Sequence, residues 1–226
     1  MPARANLLSG IRAAFPIGTT DKIAKSPLDD LFEAYVLSGV LSAAAAEGWA
    51  VSLEDLDGNS AALALFRRSP GNIYKAKAGK NFTHFVLRHA SAPPLEVHIG
   101  IKATGKTGVE HECDVAVLRA DDGSWCRTHR VHPKSSRLIL SAECKYLAGP
   151  VPLHLGRAFV GLDSDLSSTY GQCHFVVNTT SLSVMKMLAR QNRDGHEHVR
   201  PSGPGLAQFE NACRAALVAF IRRERA

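Results

Sequence analysis

Residues 137–147 have the sequence RLILSAECKYL, and this stretch decides the fold because a short apolar run ends in charged side chains. The apolar part is typical of a buried β-strand. Side chains two positions apart on a strand point to the same face, so Glu143 and Lys145 are predicted to project together while Cys144 points the other way. Charged side chains at the end of a buried strand require a charge partner or a function.

A second strand is predicted in residues 111–118, HECDVAVL, where Asp114 shares a face with Glu112. If the two strands are neighbours, the carboxylates of Asp114 and Glu143 meet the Lys145 ammonium in one place. Carboxylate oxygens suit Mg²⁺, a hard cation that keeps several waters, and an ammonium group can position a water or hold a phosphate. The alternative is that the Glu-x-Lys pair belongs to a solvated strand face, where ion pairs contribute little.

The composition is ordinary for a globular protein, with 226 residues of which 45% are hydrophobic and 21% charged. We expect an N-terminal arm or short helix over residues 1–26 and a single domain over residues 27–226. The formal net charge of +6 favours a polyanionic partner. No apolar run reaches the length of a membrane span and no signal-peptide pattern is present, so we expect no membrane association and a cytoplasmic location.

The five cysteines are scattered, so buried thiols are expected rather than a disulfide framework. Cys126, His129 and His132 are spaced three apart and provide an alternative hypothesis, a zinc site. Their spacing lacks the usual Cys-x2-Cys half-site. Together with Lys134 and Arg137, the same segment is predicted to be either a basic connection near a phosphate backbone or a solvated loop.

Hydrophobic periodicity and turn residues predict the remaining elements. Ser26, as N-cap, and Pro27 indicate a helix start, and Gly48 indicates the end of that helix. Further strands are predicted at residues 49–56, 61–68, 84–90, 95–103 and 173–180. Further helices are predicted at residues 152–166, 181–192 and 206–223, with a loop at residues 192–205. This order of elements indicates the α/β or α+β class.

Glu33 is a further candidate site residue on the first of these helices. At 3.6 residues per turn it lies on the same side as Val36, Leu37 and Val40. A carboxylate bordered by apolar residues on a core-facing stripe can face a site. The alternative is a glutamate at the edge of the stripe with its carboxylate in water.

Basic side chains in two other segments are candidates for contacts with nucleic acid. The segment NIYKAKAGKNFTHF mixes basic with aromatic residues, a composition that suits a nucleic-acid strand. His154 and Arg157 lie three apart on one predicted helix face and can contact phosphate. For both segments the alternative is ordinary solvation. The predicted nucleic-acid-binding residues are Lys75, Lys77, Lys80, Lys134, Arg137, His154 and Arg157.

Over residues 27–190 the chain resembles the PD-(D/E)XK nuclease superfamily, which has the restriction-endonuclease-like fold. The match lies in a leading helix with an acid, a meander, a strand with Asp, a strand with Glu-x-Lys, and a later helix, strand and helix. The segment HFVVNTTSLSVMKMLA is similar to the later strand and helix of Mrr-like members. The family acids correspond to Asp114, Glu143 and, on the leading helix, Glu33, and the family lysine corresponds to Lys145. Cys113 stands where the family name has proline, and His154 or Arg157 stands in for a glutamine found in some members.

The resemblance implies a central mixed sheet flanked by helices and a Mg²⁺-dependent endonuclease, in which Mn²⁺ can substitute. Asp114, Glu143 and the backbone carbonyl of Cys144 would hold the metal, Glu33 would assist, and Lys145 would orient the attacking water. The implied substrate is nucleic acid, with DNA favoured, and the implied setting is a bacterial restriction or defence system. A homodimer or a partner protein subunit is compatible with this hypothesis.

Two other functional hypotheses remain open. One is a non-catalytic nucleic-acid-binding or assembly subunit that keeps the nuclease fold. The other is a nuclease subunit that stays silent until a partner or a small-molecule signal activates it. Because fold does not dictate function, the catalytic hypothesis depends on Asp114, Glu143 and Lys145.

Overall fold

The computed structural model describes residues 2–14, 24–67, 70–74, 81–167 and 171–225. Within these residues the helices, in chain order, are α1 Pro2–Ala14, α2 Leu28–Ala46, α3 Ala120–His129, α4 Leu153–Leu166, α5 Leu182–Arg190 and α6 Pro204–Arg225. The strands are β1 Ala50–Asp55, β2 Thr83–His89, β3 Ala92–Thr104, β4 Glu110–Arg119, β5 Leu138–Lys145, β6 Gln172–Val177 and β7 Asp194–His196.

The seven strands form one sheet in the order of the sequence. Neighbouring strands are antiparallel from β1 to β5, whereas β6 is parallel to β5 and β7 is parallel to β6. A parallel neighbour requires a crossover connection, which α4 provides between β5 and β6 and α5 provides between β6 and β7. The predicted α/β class, with a central mixed sheet flanked by helices, is therefore confirmed.

Helices cover both faces of the sheet. One hydrophobic cluster joins α1, α2 and α6 to the sheet and includes the buried side chains of Phe32, Phe209 and Phe220. Two further clusters join α3, α4 and α5 to the sheet, and there the ring centroids of Phe159 and Phe175 lie 5.0 Å apart. Burial on both faces explains why the central strands are nearly continuous apolar runs. None of the described helices combines the length and the apolar character that spanning a membrane requires.

An N-terminal arm or a short helix was expected over residues 1–26. Residues 2–14 form a helix, α1. Leu7 and Ile11 are buried in the same hydrophobic cluster as α2. Gly10 allows the two helices to approach closely, because a Cβ at this position would overlap the Tyr35 ring. Residues 2–14 thus contribute to the core.

The strand predicted at residues 61–68 is wrong for the described part, residues 61–67, which run irregularly beside the sheet. Ala61 donates its backbone hydrogen bond to Leu53, and Leu65 donates its own to the Thr83 hydroxyl. Apolar content predicted a strand here, but a strand also needs a continuous hydrogen-bonding partner, and these residues make only isolated bonds.

Three other boundaries differ from prediction. Pro27 occupies the N-cap position of α2, so the predicted Ser26 cap is wrong. Residues 192–205, predicted as a loop, contain β7, which pairs with the edge of β6. The supposed connection around Cys126 and His129 begins inside α3. A three-residue strand and a short helix that contains a glycine carry too little periodicity to be recognised from sequence.

Candidate active site

The ladder between β3 and β4 is interrupted at Asp114. The register skips Gly100 and Asp114, and Gly100 has a φ of 62°, which glycine adopts without steric cost. Cys113 and Ala116 consequently belong to the same hydrophobic cluster, although strict alternation would separate them. The strict alternation from which the face of Asp114 was predicted therefore does not extend through this residue.

The Asp114 side chain is hydrogen-bonded to the neighbouring strand β5. It is buried, and its Oδ2 accepts a 2.6 Å hydrogen bond from the backbone N–H of Cys144. This bond lies just beyond the backbone pair of Val115 and Ala142. The Asp114 carboxylate therefore sits where β4 and β5 separate, beside the Glu-x-Lys segment.

Lys145 lies between the two predicted metal-binding acids. Its Nζ is 2.6 Å from Glu143 Oε1 and 3.9 Å from Asp114 Oδ2. The Lys145 side chain is 32% exposed, against 6% for that of Asp114, so the ammonium group lies at the entrance to the group of acids. The thiol of Cys144 is directed into the hydrophobic core, as predicted. Only the backbone carbonyl oxygen of Cys144 is therefore available as a metal ligand.

Glu33 and Glu112 complete this group, which we call the Asp114 cluster: Asp114, Glu143, Lys145, Glu33 and Glu112. Glu33 lies on α2 close enough to Asp114 and Lys145 for their charges to act on its ionisation. The charges of Glu143 and Lys145 act on the ionisation of Glu112. Glu112 was not among the predicted catalytic residues, but its position two residues before Asp114 was the signal that could have identified it.

Burial and mutual repulsion shift the ionisation of these acids. Burial, followed by the negative charge of Asp114, raises the pKa of Glu33 to about 9. Burial and the Glu143 carboxylate raise the pKa of Asp114 to about 7, against the opposing effect of Lys145. Burial and Glu143 also raise the pKa of Glu112. Burial opposes the charged form of Lys145, but Glu143 and Asp114 outweigh it and raise the pKa of this lysine.

The chemistry of the Asp114 cluster fits a divalent cation. Four acidic side chains lie around the ammonium group of Lys145, and burial first and neighbouring acids second raise the pKa values of Glu33 and Asp114. All side-chain donors are oxygens, as Mg²⁺ and Mn²⁺ prefer. Asp114 and Glu143 are the residues that would hold such an ion, with the backbone carbonyl of Cys144 as a further oxygen ligand.

Asn178 fixes the chain directly after Lys145. Its side-chain amide accepts a 2.7 Å hydrogen bond from the N–H of Leu147 and donates a 2.9 Å bond to the Leu147 carbonyl. Phe32 of α2 packs on Tyr146, with 5.7 Å between ring centroids. These contacts hold the end of β5 and the Glu33-bearing helix together. No sequence pattern indicated Asn178, because its partner lies 31 residues away.

The predicted nucleic-acid-binding residues lie in different places. His154 and Arg157 are exposed on the first turns of α4, which follows β5. Lys134 and Arg137 line a separate cavity beside α3. Lys75, Lys77 and Lys80 lie outside the described residues.

The zinc hypothesis for Cys126, His129 and His132 is not supported. Cys126 is buried in a hydrophobic cluster, whereas His132 Nε2 lies 3.1 Å from Glu110 Oε1. Within the described part of the chain, one group of His, Cys, Asp and Glu places three ligand atoms within 4.8 Å of one another, and it contains neither these residues nor any residue of the Asp114 cluster. That group is His84, Glu96 and His98.

The group around Glu96 already has a positive charge of its own. Arg127 of α3 donates two hydrogen bonds to Glu96, of 2.8 and 2.6 Å, and His98 Nε2 lies 2.8 Å from the same carboxylate. Arg67 is also buried, and its charge acts on the ionisation of His98. We call these residues the Glu96 network: Glu96, His84, His98, Arg127 and Arg67. Since Arg127 occupies both carboxylate oxygens, a metal is not required here.

Comparison with known proteins gives no relatives. No protein-family model matches the chain, and no curated protein or solved structure matches it.

Proposed function

We propose that the protein is a divalent-metal-dependent nuclease that hydrolyses phosphodiester bonds of nucleic acid, most readily DNA, at the Asp114 cluster. The single observation that carries the proposal is the position of Lys145 between Glu143 and Asp114, at the point where β4 and β5 separate. The resemblance to PD-(D/E)XK nucleases supports it, because the family places the same residue types on adjacent strands. The restriction-endonuclease-like core is part of the same proposal.

The reaction adds water across a phosphodiester bond, so that the water oxygen bonds to phosphorus while the bond to the leaving oxygen breaks. Asp114 and Glu143 would hold a Mg²⁺ ion, which would supply electrostatic stabilisation of the negative charge at phosphorus and at the leaving oxygen. The hydrogen bond from Cys144 N–H fixes the orientation of Asp114. Lys145 donates hydrogen bonds that orient the attacking water and attract the phosphate.

Glu33 has a supporting role beside these residues. With a pKa of about 9 it carries a proton at neutral pH in the metal-free protein, so it provides a hydrogen-bond donor rather than a fourth negative charge. The net charge of +6 provides attraction for the nucleic-acid backbone that weakens with salt.

Cleavage of supercoiled plasmid and of single-stranded DNA and RNA, with Mg²⁺ or Mn²⁺ and with EDTA, tests this proposal. The Glu143→Gln and Lys145→Met proteins are expected to lose about 100-fold or more of the activity, because they remove groups that act in the transition state. Glu47→Gln and Lys186→Met are matched controls: Glu47 pairs with Arg214 at the far end of α2, and Lys186 is exposed on α5. Both controls are expected to cleave normally.

Two results would contradict the proposal in different ways. Cleavage that survives both Glu143→Gln and Lys145→Met would show that the Asp114 cluster is not the active site. Binding of nucleic acid in EDTA, with no cleavage by the unaltered protein under any of these conditions, would favour the non-catalytic subunit instead.

A further inference from the structure

A cavity of about 770 Å³ lies between α3 and the outer end of the β3–β4 hairpin. No residue of the Asp114 cluster lines it. Its volume is within the range that binds small organic ligands. Aromatic and basic side chains in its lining include Tyr74, Trp125, Arg130, His132, Lys134 and Arg137.

The acids at this cavity are already paired. Glu110 lies 2.9 Å from the Lys102 ammonium and 3.1 Å from His132. Asp121 lies 2.9 Å from Arg119. Arg137 lies 3.4 Å from Asp122, and its guanidinium remains 62% exposed. The negative charge of the lining is therefore largely compensated.

Two cations at the cavity remain in excess. Lys134 and Arg130 are both exposed, and neither forms an ion pair with any residue in the described part of the chain. The Arg130 guanidinium instead lies 5.7 Å from the centre of the Tyr74 ring. With Arg137, these side chains make the cavity attractive to an anion, and a fork-shaped guanidinium suits phosphate oxygens.

The same cavity presents an aromatic surface. Trp125 is 54% exposed, an unusual fraction for so large an apolar side chain, and stacks on His129 with 4.2 Å between ring centroids. Exposed aromatic rings beside cations are the combination by which proteins stack a base and hold its phosphate.

We propose that this cavity binds a nucleoside phosphate, with the base stacked on Trp125 and the phosphate held by Lys134, Arg130 and Arg137. The ligand can be a free nucleotide or one nucleotide of a strand. Glu110 in the lining precedes Asp114 by four residues on β4, about 13 Å along a strand, which is close enough for one nucleic-acid strand to contact both places. Only binding as part of such a strand depends on the proposed nuclease function.

Tryptophan fluorescence provides a direct test, because the chain has two tryptophans and the other, Trp49, is buried. In a Trp49→Phe background the signal comes from Trp125 alone. Titrations in EDTA would use AMP, ribose 5-phosphate and a short oligothymidylate as probes. We expect saturable quenching by AMP or by the oligonucleotide, and weaker binding of ribose 5-phosphate, which has no base to stack.

The Lys134→Gln substitution is expected to weaken nucleotide binding about 10-fold or more, because it removes a charged partner of the phosphate. Lys186→Gln, which changes an exposed lysine on α5, is the matched control and is expected to bind normally. Trp125→Ala, measured by equilibrium dialysis with labelled AMP, is expected to weaken binding at least about 5-fold through lost stacking.

The outcomes separate the two sources of ligand and the two proposals. Tighter binding of the oligonucleotide than of AMP would identify a substrate strand, and tighter binding of AMP would identify a free nucleotide. Absence of saturable quenching up to about 1 mM of every probe, or equal binding by Lys134→Gln, would overturn the inference. Since the titrations contain EDTA and leave the Asp114 cluster intact, these results are independent of cleavage.

Discussion

The Glu96 network and the Asp114 cluster both bury carboxylates in the same sheet, but their compensating charges come from different sources. The guanidinium of Arg127 on α3 donates a hydrogen bond to each oxygen of Glu96, and His98 is a further hydrogen-bonding partner. In the Asp114 cluster, four acids share the ammonium group of Lys145, which is itself partly exposed. In the first group a guanidinium contacts both oxygens of the carboxylate, whereas in the second one ammonium group lies near several acids.

The ionisation of the two groups expresses this difference. Burial alone would raise the pKa of Glu96, but hydrogen bonds from Arg127, His84 and His98 outweigh it and hold this pKa well below its usual range. The pKa of Asp114 is instead raised to about 7, by burial first and by Glu143 next. The comparison indicates that buried acids alone do not mark a functional site. What distinguishes the two groups is how far nearby cations and hydrogen-bond donors offset the cost of burying the acids.

The largest expected effect is on the Glu96 network. Arg127→Met would leave the buried Glu96 carboxylate without its guanidinium, and we expect the free energy of unfolding to fall by about 3–5 kcal/mol. Urea denaturation at neutral pH would measure this change. The double variant Glu96→Gln, Arg127→Met is the control and is expected to recover part of the loss. If the costs of the two substitutions simply add, the two residues are not coupled and the interpretation of this network is wrong.

A smaller effect is expected when Mg²⁺ is added to the protein. At a concentration about 100 times its Kd, an ion that binds only the folded state stabilises it by about 2.7 kcal/mol, and thermal unfolding would measure the shift. Asp114→Asn is expected to abolish most of the shift, whereas Glu47→Gln, the matched control, is expected to retain it. An equal shift in both variants would place the ion elsewhere.

The smallest expected effect is a gain in stability. Glu33→Gln removes an acid whose ionised form is disfavoured by burial and by Asp114, so the metal-free protein is expected to become more stable at pH 8. Chemical denaturation in EDTA would measure it. A loss of stability instead would show that ionised Glu33 has a favourable partner.

The pH dependence of this gain has a definite sign. The folded pKa of Glu33, about 9, lies above its unfolded value of about 4.3. Its contribution to stability is therefore full below the unfolded pKa and is lost as the pH rises through the folded pKa. Glu96 acts in the opposite sense, because its lowered pKa gives stability that is lost as the pH falls through the folded value. Glu33→Gln is expected to flatten the decline between about pH 5 and pH 9.

Much of the fold was predictable from local pattern. The apolar runs of β2 to β6 and the periodic stripes of α2, α4 and α6 are buried in the structure as their sequences indicated. Elements with weak patterns were missed, namely α3 and β7. Whether an apolar segment becomes a strand depends on an available neighbouring edge, and the irregular residues 61–67 show that composition does not reveal that edge.

The sequence also indicated most of the candidate site, because Glu143 and Lys145 lie two apart on one strand and Asp114 lies on the strand before it. Glu96 and His98 on β3 are also two residues apart, but this spacing did not indicate that they belong to a charge network. Local spacing alone could not separate the two pairs, since each places two polar side chains on one strand face.

Local sequence by itself determined which residues could form strands, which side chains share a face on a regular strand such as β5, and which acids could come together. The tertiary structure alone decided how the charge of each pair is compensated. Arg127, 31 residues from Glu96, completes one group, while the separation of β4 and β5 leaves Asp114 and Glu143 with Lys145. The physical reason is that electrostatic compensation depends on distances across the folded chain, and these distances are fixed only when helices pack on the sheet.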